Sequence, residues 1–435
     1  MSRLVAARII ASPVMLETFI IGFGWDLLTL VTTLAWLIVV VWVVSIALTF
    51  YGLARQRPLP QTSDLSLTTD GVPLVSILVP ARNEEHRVLS NCIRSILAQD
   101  YGSFEVIVVN DRSTDATGEI LKHLAKDDSR LLVIEGQETP AGWLGKPYAM
   151  QQALEQARGR LLLATDADMI FDKSALRTGM DYVLERNIDA ITFIPHFKSR
   201  SFWERLMIPA WSWVFLMYLL AYRVHDPRSQ GAVGIGGFFL MRRDVLERVG
   251  GYRGLKDEVM EDVRLAERLK RAGAHVDFKF APGLVSTRMY TNFREMWECS
   301  TKNWISGMKF SFSLALAAVF FMYAIAVVPP VLALVCAVGS FWNAELWRLF
   351  IPTFSAWMMQ AVILASINRR CDVPIFYALL APLSLGVHYA MLFDSAIRIK
   401  TGRGVTWKGR KVYERTGVRP PQVNARSSVS CEADE

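Results

Sequence analysis

The run from Trp25 to Tyr51, with TLVTTLAWLIVVVWVVSIALTF as its centre, has Asp26 at its edge and no charge inside. About 25 residues of helix reach roughly 37 Å, enough to cross the hydrocarbon layer of a bilayer. The run follows residues 1–24, which do not have the form of a secretory signal, so a retained anchor over 25–51 is expected rather than a cleaved leader. A chain with such a segment does not fold as one water-soluble domain.

The rest of the apolar residues are unevenly placed. Three further blocks fall within 311–397: SLALAAVFFMYAIAVVPPVLALVCAV, FIPTFSAWMMQAVILASI and IFYALLAPLSLGVHYAMLF. Between the ends, 74–310 is as mixed as a globular domain, although the whole chain is 52% hydrophobic and 20% charged. This excludes a disordered chain and a small disulfide scaffold. It points to a globular domain held on a membrane by both ends.

Charge agrees. The net charge is +7, but the basic residues gather beside apolar runs, at Arg55 and Arg57 and from Arg398 to Lys411. Such clusters mark cytoplasmic loops and attract anionic head groups; they do not suggest a nucleic-acid partner. Five cysteines without CxxC or zinc spacing fit a reducing compartment. The count of spans stays open at this stage. Three crossings by the C-terminal blocks would set the basic tail opposite the middle domain, against the positive-inside bias. Pro329–Pro330 splitting the first block would restore an even count, but would move Arg369–Arg370 outside.

Residues 52–73 are polar and hold Pro58, Pro60 and Gly71, as a linker does. The middle then alternates apolar runs with helical periods. LVSILVP (74–80), FEVIVVND (104–111), LLVIEG (131–136) and LLLATDAD (161–168) read as buried strands, spaced as in βαβ units. An open α/β sheet is predicted. The stretch 207–222 (MIPAWSWVFLMYLLAY) is short for a span and rich in Trp and Tyr, so an in-plane interfacial helix is expected, with a buried core helix as the plain alternative. The end of the tail from 398 to 435, after Val418, has the composition of a disordered segment.

Open α/β sheets bind ligands at the carboxyl ends of their strands, and acidic residues fall there. Asp111 follows FEVIVVN; Ser113 and Asp115 suffice to cap the next helix, leaving Asp111 for a ribose or base. Asp166 and Asp168 follow LLLAT; two carboxylates two residues apart face one side of an extended chain and call for a cation between them, with oxygen ligands favouring Mg²⁺ or Mn²⁺. Glu261 and Asp262 open EDVRLAERLKRAG, where they suit the helix dipole and equally a general base. GWLGK (142–146) is followed by Pro147, not Ser or Thr, so it is not a phosphate loop of the NTPases, though Lys146 can meet a diphosphate as a point charge. No GxGxxG follows the first strand, which argues against a dinucleotide oxidoreductase.

Taken in order, SILVPARNEE (76–85), VIVVNDRSTDAT (106–117), GWLGKPYAMQQA (142–153), ATDADMIF (164–171), GGFFLMRRDVLERVGGY (236–252) and MEDVRLAERLKRAG (260–273) resemble the inverting glycosyltransferases of family 2. The resemblance implies a GT-A, Rossmann-like fold over 74–310 and a UDP-sugar donor. It implies that Pro80, Arg82, Glu84 and Asp111 hold the uridine part, that Asp166 and Asp168 form the D-x-D motif for Mn²⁺ or Mg²⁺, and that Gly236 and Gly237 allow close approach. Asp262 would be the base, supported by Glu261. Processive members carry Q-x-x-R-W, whereas this chain has STKNW (300–304). Residues 288–307 and TWKGRKVY (406–413) are similar instead to the branch that glycosylates lipids, including ceramide, hopanoid, diacylglycerol and carotenoid acceptors. Lys302 and Trp304 become acceptor-side candidates. A membrane lipid acceptor and a cytoplasmic catalytic domain in the cell membrane follow from that branch. A processive polysaccharide synthase is the alternative. A transporter with a nucleotide-sensing domain would need ionisable residues inside the spans, and the blocks offer mainly His388 and Asp394.

Overall fold

A computed structural model of the chain describes residues 26–55, 59, 72–219, 221–224, 229, 231–308, 310–407 and 410–413. The expectations for 1–24, for most of the 52–73 linker and for the tail past 413 fall outside these residues. The chain forms two compact units.

Helix α1 (Leu27–Ala54) belongs to the first unit. The second unit opens with β1 (Val75–Ala81), α2 (Leu89–Leu97), β2 (Phe104–Asn110), α3 (Thr117–Asp127), β3 (Leu131–Glu135), α4 (Gly145–Gln156) and β4 (Leu161–Ala164). The predicted strands all form, three of them within one residue of their expected bounds; the fourth, expected over 161–168, ends at Ala164. After them come β5 (Met169–Phe171), α5 (Ala175–Arg186), β6 (Ala190–Ile194), β7 (His196–Phe197), α6 (Phe202–Tyr218), β8 (Phe239–Arg242), α7 (Arg243–Arg248), α8 (Glu261–Arg271), β9 (Val276–Phe280), β10 (Val285–Thr287) and α9 (Phe293–Gly307). The last stretch holds α10 (Phe312–Met322), a π-helical turn at Tyr323–Val327, α11 (Val328–Gly339), α12 (Trp347–Arg370), α13 (Ala381–Lys400), β11 (Val405–Trp407) and β12 (Arg410–Tyr413).

The main sheet has the order β3-β2-β1-β4-β8-β6-β9. β1 to β4 are mutually parallel where they pair. β8 runs antiparallel to both its neighbours, β4 and β6. The open parallel sheet of the first half is therefore extended into a mixed one. β1 and β2 are buried along nearly their whole length, because helices cover both faces. Ile77, Val79, Val106 and Val108 pack into one core with α2, while Leu78, Ile107 and Val109 pack into a second with α4. Alternate residues of each strand serve opposite layers, which is why the strands read as unbroken apolar runs.

This unit also includes the end of the last apolar helix, from Met391, and the residues after it. The Trp297 indole on α9 donates to Asp394 Oδ2 at 2.7 Å, and Arg398 pairs with the same carboxylate at 2.9 Å. Ser395 Oγ donates to the Thr301 carbonyl. Val405 is fully buried against Val259, Leu144, Phe310 and Ile399.

In the first unit, ten large apolar side chains of α1 are exposed, among them Leu34, Leu37, Val40 and Val44. At about 1.5–3 kcal/mol for a fully exposed side chain, and with these roughly half exposed, leaving them in water would cost on the order of 10 kcal/mol, comparable with a typical domain's whole stability. Hydrocarbon is the solvent that removes this cost. Among the described residues four helices are long and apolar enough to cross a membrane: Leu27–Ala54, Phe312–Gly339, Ala344–Arg370 and Ile375–Lys400. Pro329–Pro330 does not break the second of these. The prolines stand at the start of α11 and follow the π turn, where missing N–H groups are tolerated. The carbonyl of Ile325 in that turn instead accepts the Trp42 indole N–H at 2.9 Å.

Residues Arg205–Val214 of α6 belong to the helical unit. A capping box at Ser201 and Glu204 fixes where α6 starts. Leu206, Met207, Ile208, Ala210 and Trp213 are buried. Trp213 stacks on Trp42 with ring centroids 5.9 Å apart and donates to Thr49 Oγ1 at 2.9 Å. Ser384 Oγ on α13 donates to the Leu206 carbonyl at 2.8 Å.

Candidate active site

The sheet order sets the site. β4 ends beside β1 on one side and β8 on the other, and the segments that follow β4 and precede β8 and α8 converge on a cleft. Lys146, Thr165, Asp166, Gly236, Tyr252, Glu261 and Asp262 are among its lining residues.

Lys146 stands in the first turn of α4. Its Nζ lies 2.6 Å from Asp166 Oδ1 and 2.6 Å from Glu261 Oε1. Packing around the ammonium opposes its charge, but Asp166, Glu261 and Asp262 outweigh this and hold it well above the usual lysine range. The backbone N–H of Leu144 donates to the Lys256 carbonyl at 2.6 Å. That bond ties the GWLGK loop to the segment leading into α8.

Glu261 and Asp262 occupy the first turn of α8, as expected. Asp262 Oδ2 accepts the Gly236 N–H at 2.7 Å and Oδ1 accepts the Val263 N–H at 2.8 Å. Burial raises its pKa, the adjacent Glu261 carboxylate adds to this, and Lys146 draws it back; the result is about 6. A carboxylate with that value is a workable proton acceptor near neutral pH. Gly236 is needed here for space. A Cβ on it would stand 2.9 Å from Asp166 Oδ2 and 3.1 Å from Lys146 Nζ. Gly237 meets the side chains of Met169 and Pro195 instead.

Asp168 has a different partner from Asp166. Arg87 Nη1 donates to Asp168 Oδ2 at 2.9 Å, while its Nη2 donates to Glu295 Oε1 and to the Met289 carbonyl. Glu84 Oε2 lies 3.9 Å from Arg87 Nε. The two D-x-D carboxylates thus each hold a basic side chain. Both remain close to Cys92, whose Sγ donates to the Asp166 carbonyl and whose thiol is pushed up by burial, then by Asp168, Glu84 and Asp166.

Asp111 follows β2, two strands from β4, so it stands roughly 10 Å along the same sheet edge from Asp166. Pro80 lies within β1, and Arg82 lies just past its end. Arg82 Nη1 donates to the carbonyls of Asp111 and Arg112 at 2.7 Å each. Asn83 and Arg112 both have left-handed backbones, and the loops interlock: Asn83 N–H donates to Ser113 Oγ, Glu84 N–H to Thr117 Oγ1 and Thr114 N–H to Asn83 Oδ1. Ser113 therefore joins the loops rather than capping α3, whose N-cap is Ala116 without a side-chain bond. Asp115 Oδ1 accepts the Thr117 N–H. Lys302 and Trp304 sit on α9 and do not line the cleft.

Three contributors had no assigned role in the sequence: Arg87, Glu295 and Tyr252. Tyr252 is buried beside the cleft, and burial followed by the Glu261 charge raises its phenol pKa. Its signal was the GGY ending of the glycine stretch. Arg87 and Glu295 are 208 residues apart, and no local pattern links them.

The donor chemistry fits a divalent cation of one kind. Among the described residues no three or more His, Cys, Asp or Glu side chains surround one point. Asp166 is an oxygen donor lining the cleft and Asp168 follows it two residues on, each paired with a cationic group. That set suits Mg²⁺ or Mn²⁺ taken through one or two carboxylates, with phosphate and water completing the shell.

Residues 76–250 match the model of glycosyl transferase family 2. A beta-monoglucosyldiacylglycerol synthase of Synechocystis is 28% identical over 239 residues, covering 53% of this chain and 48% of that protein. A 4,4'-diaponeurosporenoate glycosyltransferase of Staphylococcus aureus is 26% identical over 240 residues, covering 54% and 61%. The chain spans about half the length of the curated relatives it matches first. Among solved structures, a mannosyltransferase of Pyrobaculum calidifontis in complex with GDP-Man and Mn²⁺ is similar at a TM-score of 0.49 and 16% identity, over 85% of this chain and 98% of that one. Over residues 76–250 the chain is thus similar to glycosyl transferase family 2, and it carries that match on the mixed α/β sheet described above.

Proposed function

We propose that the chain moves one sugar from a UDP-sugar to the hydroxyl of a membrane lipid, inverting the anomeric carbon. The observation that carries this is Asp262, fixed in the cleft by the Gly236 N–H and facing Lys146 and Asp166. Asp262 takes the acceptor's proton, the acceptor oxygen attacks the anomeric carbon, and the diphosphate leaves from the opposite face. Lys146 meets the diphosphate as a point charge. Glu261 holds Lys146. Arg82 orders the loop carrying Asp111, which receives the uridine part together with the Pro80–Glu84 turn. A divalent cation at Asp166 and Asp168 supplies neutralisation of the developing charge when bound.

The lipid acceptor is supported by the named relatives, by the apolar helices and by α9, whose STKNW stretch lacks the Gln and Arg of processive enzymes. Lys302 and Trp304 serve the acceptor side in this reading. Phe202 is exposed at the start of α6 and, with α6, lies at head-group depth.

The catalytic domain faces the cytoplasm in this proposal. Trp297 meets Asp394, and Thr301 meets Ser395, inside one unit, so the chain from Ala317 to Ala390 returns to the side it left. We take the number of crossings to be even. The Trp357 indole donates to the Leu379 carbonyl and Tyr323 Oη to the Gly386 carbonyl, which supports Ile375–Ala390 dipping into the bilayer and coming back. Arg55, Arg369, Arg370, Arg398 and Lys400 then share one side, as the positive-inside rule requires.

The test incubates membranes holding the full chain with labelled UDP-glucose, UDP-galactose and UDP-GlcNAc, then extracts lipids. One labelled sugar on an extractable lipid, abolished by chelator, is the expected result. Long polymer, or label confined to water-soluble products, overturns the reading.

A further inference from the structure

We infer that Arg87 is a positioning residue that competes with a divalent cation for Asp168 and couples that exchange to the N-terminal turn of α9. The inference rests on the D-x-D cation of the proposed function.

Arg87 lies at the meeting point of three chain segments. Glu84 comes from the turn after β1, Asp168 from the turn after β4, and Glu295 from the first turn of α9. The Met289 carbonyl, just ahead of α9, accepts from the same guanidinium at 3.2 Å. One planar fork thus serves two sites through separate arms: Nη1 holds Asp168, and Nη2 holds the approach to α9. A lysine has no such fork.

Glu295 is fixed at its other oxygen as well. Oε2 accepts the Thr291 N–H at 2.8 Å and Thr291 Oγ1 at 3.0 Å, and Asn292 caps the helix through the Glu295 N–H at 2.9 Å. The turn 291–295 is therefore ordered by the carboxylate that Arg87 grips. Of the four groups named, one is positive and three are negative, so these four together sum to two negative charges. A divalent cation at Asp168 balances that excess, but its approach sets it against the Nη1 arm. Once that arm lets go, the guanidinium charge is left to Glu295 and Glu84. The helix that carries Lys302 and Trp304 then registers what Asp168 binds.

The experiment uses the full-length chain in detergent, with MnCl₂ and UDP as probes. Free Mn²⁺ is followed by electron paramagnetic resonance, and amide exchange of 291–307 is followed with and without Mn²⁺ and UDP. The wild type is expected to show slower exchange in 291–307 on adding Mn²⁺ and UDP, and its absence overturns the inference; Arg87→Ala is expected to bind Mn²⁺ about fivefold tighter and to lose that slowing. Arg87→Lys is expected to keep Mn²⁺ affinity near wild type, through its charge, yet still lose the exchange response. It also serves where Arg87→Ala fails to fold. Unchanged or weaker Mn²⁺ binding in Arg87→Ala, an exchange response that survives in either variant, or no Mn²⁺ binding in any protein overturns the inference. Neither readout uses sugar or lipid. A wild type that labels no lipid therefore sinks the proposed acceptor without touching this result.

Discussion

The backbone N–H of Gly236 donates to Asp262 Oδ2 at 2.7 Å, joining the strand-leading glycine stretch to the first turn of α8 across 26 residues. This bond fixes the direction of the carboxylate and leaves each oxygen a further lone pair with which to take a proton.

Asp262→Asn keeps an acceptor for the Gly236 N–H but removes the proton-accepting charge. Turnover of labelled UDP-sugar onto lipid is expected to fall by about 10²–10⁴-fold, with donor KM nearly unchanged. Circular dichroism should match the wild type. Activity within tenfold of wild type would remove Asp262 from the base role.

The pH profile follows from the same residue. Because burial and Glu261 raise its pKa to about 6, the base is ionised above that value and lost below it. The acid limb of kcat/KM should therefore fall near pH 6, not near the ordinary carboxylate value of about 4. Lys146 lowers the Asp262 pKa, so Lys146→Met should move the limb to higher pH. A limb that stays put would separate Lys146 from the base.

Two glycines should respond differently to one added methyl group. Gly236→Ala places carbon against Asp166 Oδ2 and Lys146 Nζ, flexible side-chain ends in the cleft, so donor KM or turnover should suffer at least about tenfold while melting changes little. A Cβ on Gly234 would stand 2.1 Å from the Asp262 carbonyl oxygen, which is backbone. Gly234→Ala should cost about 1–3 kcal/mol of stability. Thermal unfolding and donor kinetics, measured on both, check the contrast.

Membrane sidedness is open to cysteine labelling in sealed vesicles, on a background without the native cysteines. Trp342→Cys should react from the face opposite to Arg403→Cys. Asp372→Cys should react from the same face as Arg403→Cys. Labelling of Trp342→Cys and Arg403→Cys from one side would overturn the even crossing count.

What could be read before the structure was local. The strands announced themselves as apolar runs: β1, β2 and β4 are buried on both faces, whereas β3, at the sheet edge, leaves Leu132 exposed. Asp262 and Lys146 stood out because a strand end or helix start is a place in sequence as well as in space. The antiparallel β8 was not legible, since FLMR has no feature that states direction. Nor was the burial of Trp213, which depends on Trp42 and Thr49 far earlier in the chain. A run of Trp and Tyr looks the same whether lipid or a neighbouring helix covers it. Arg87 was silent for a related reason: its meaning lies in Glu295, and separation in sequence hides charge pairing.

Val405 comes after every apolar helix, yet it backs Leu144 and Val259, two residues from Lys146 and from Glu261 respectively. A chain cut after Lys400 would keep each anchor and each acidic motif but remove the support under both. Deletion mapping would then score the tail as catalytic, although no atom of Val405 need ever meet a sugar.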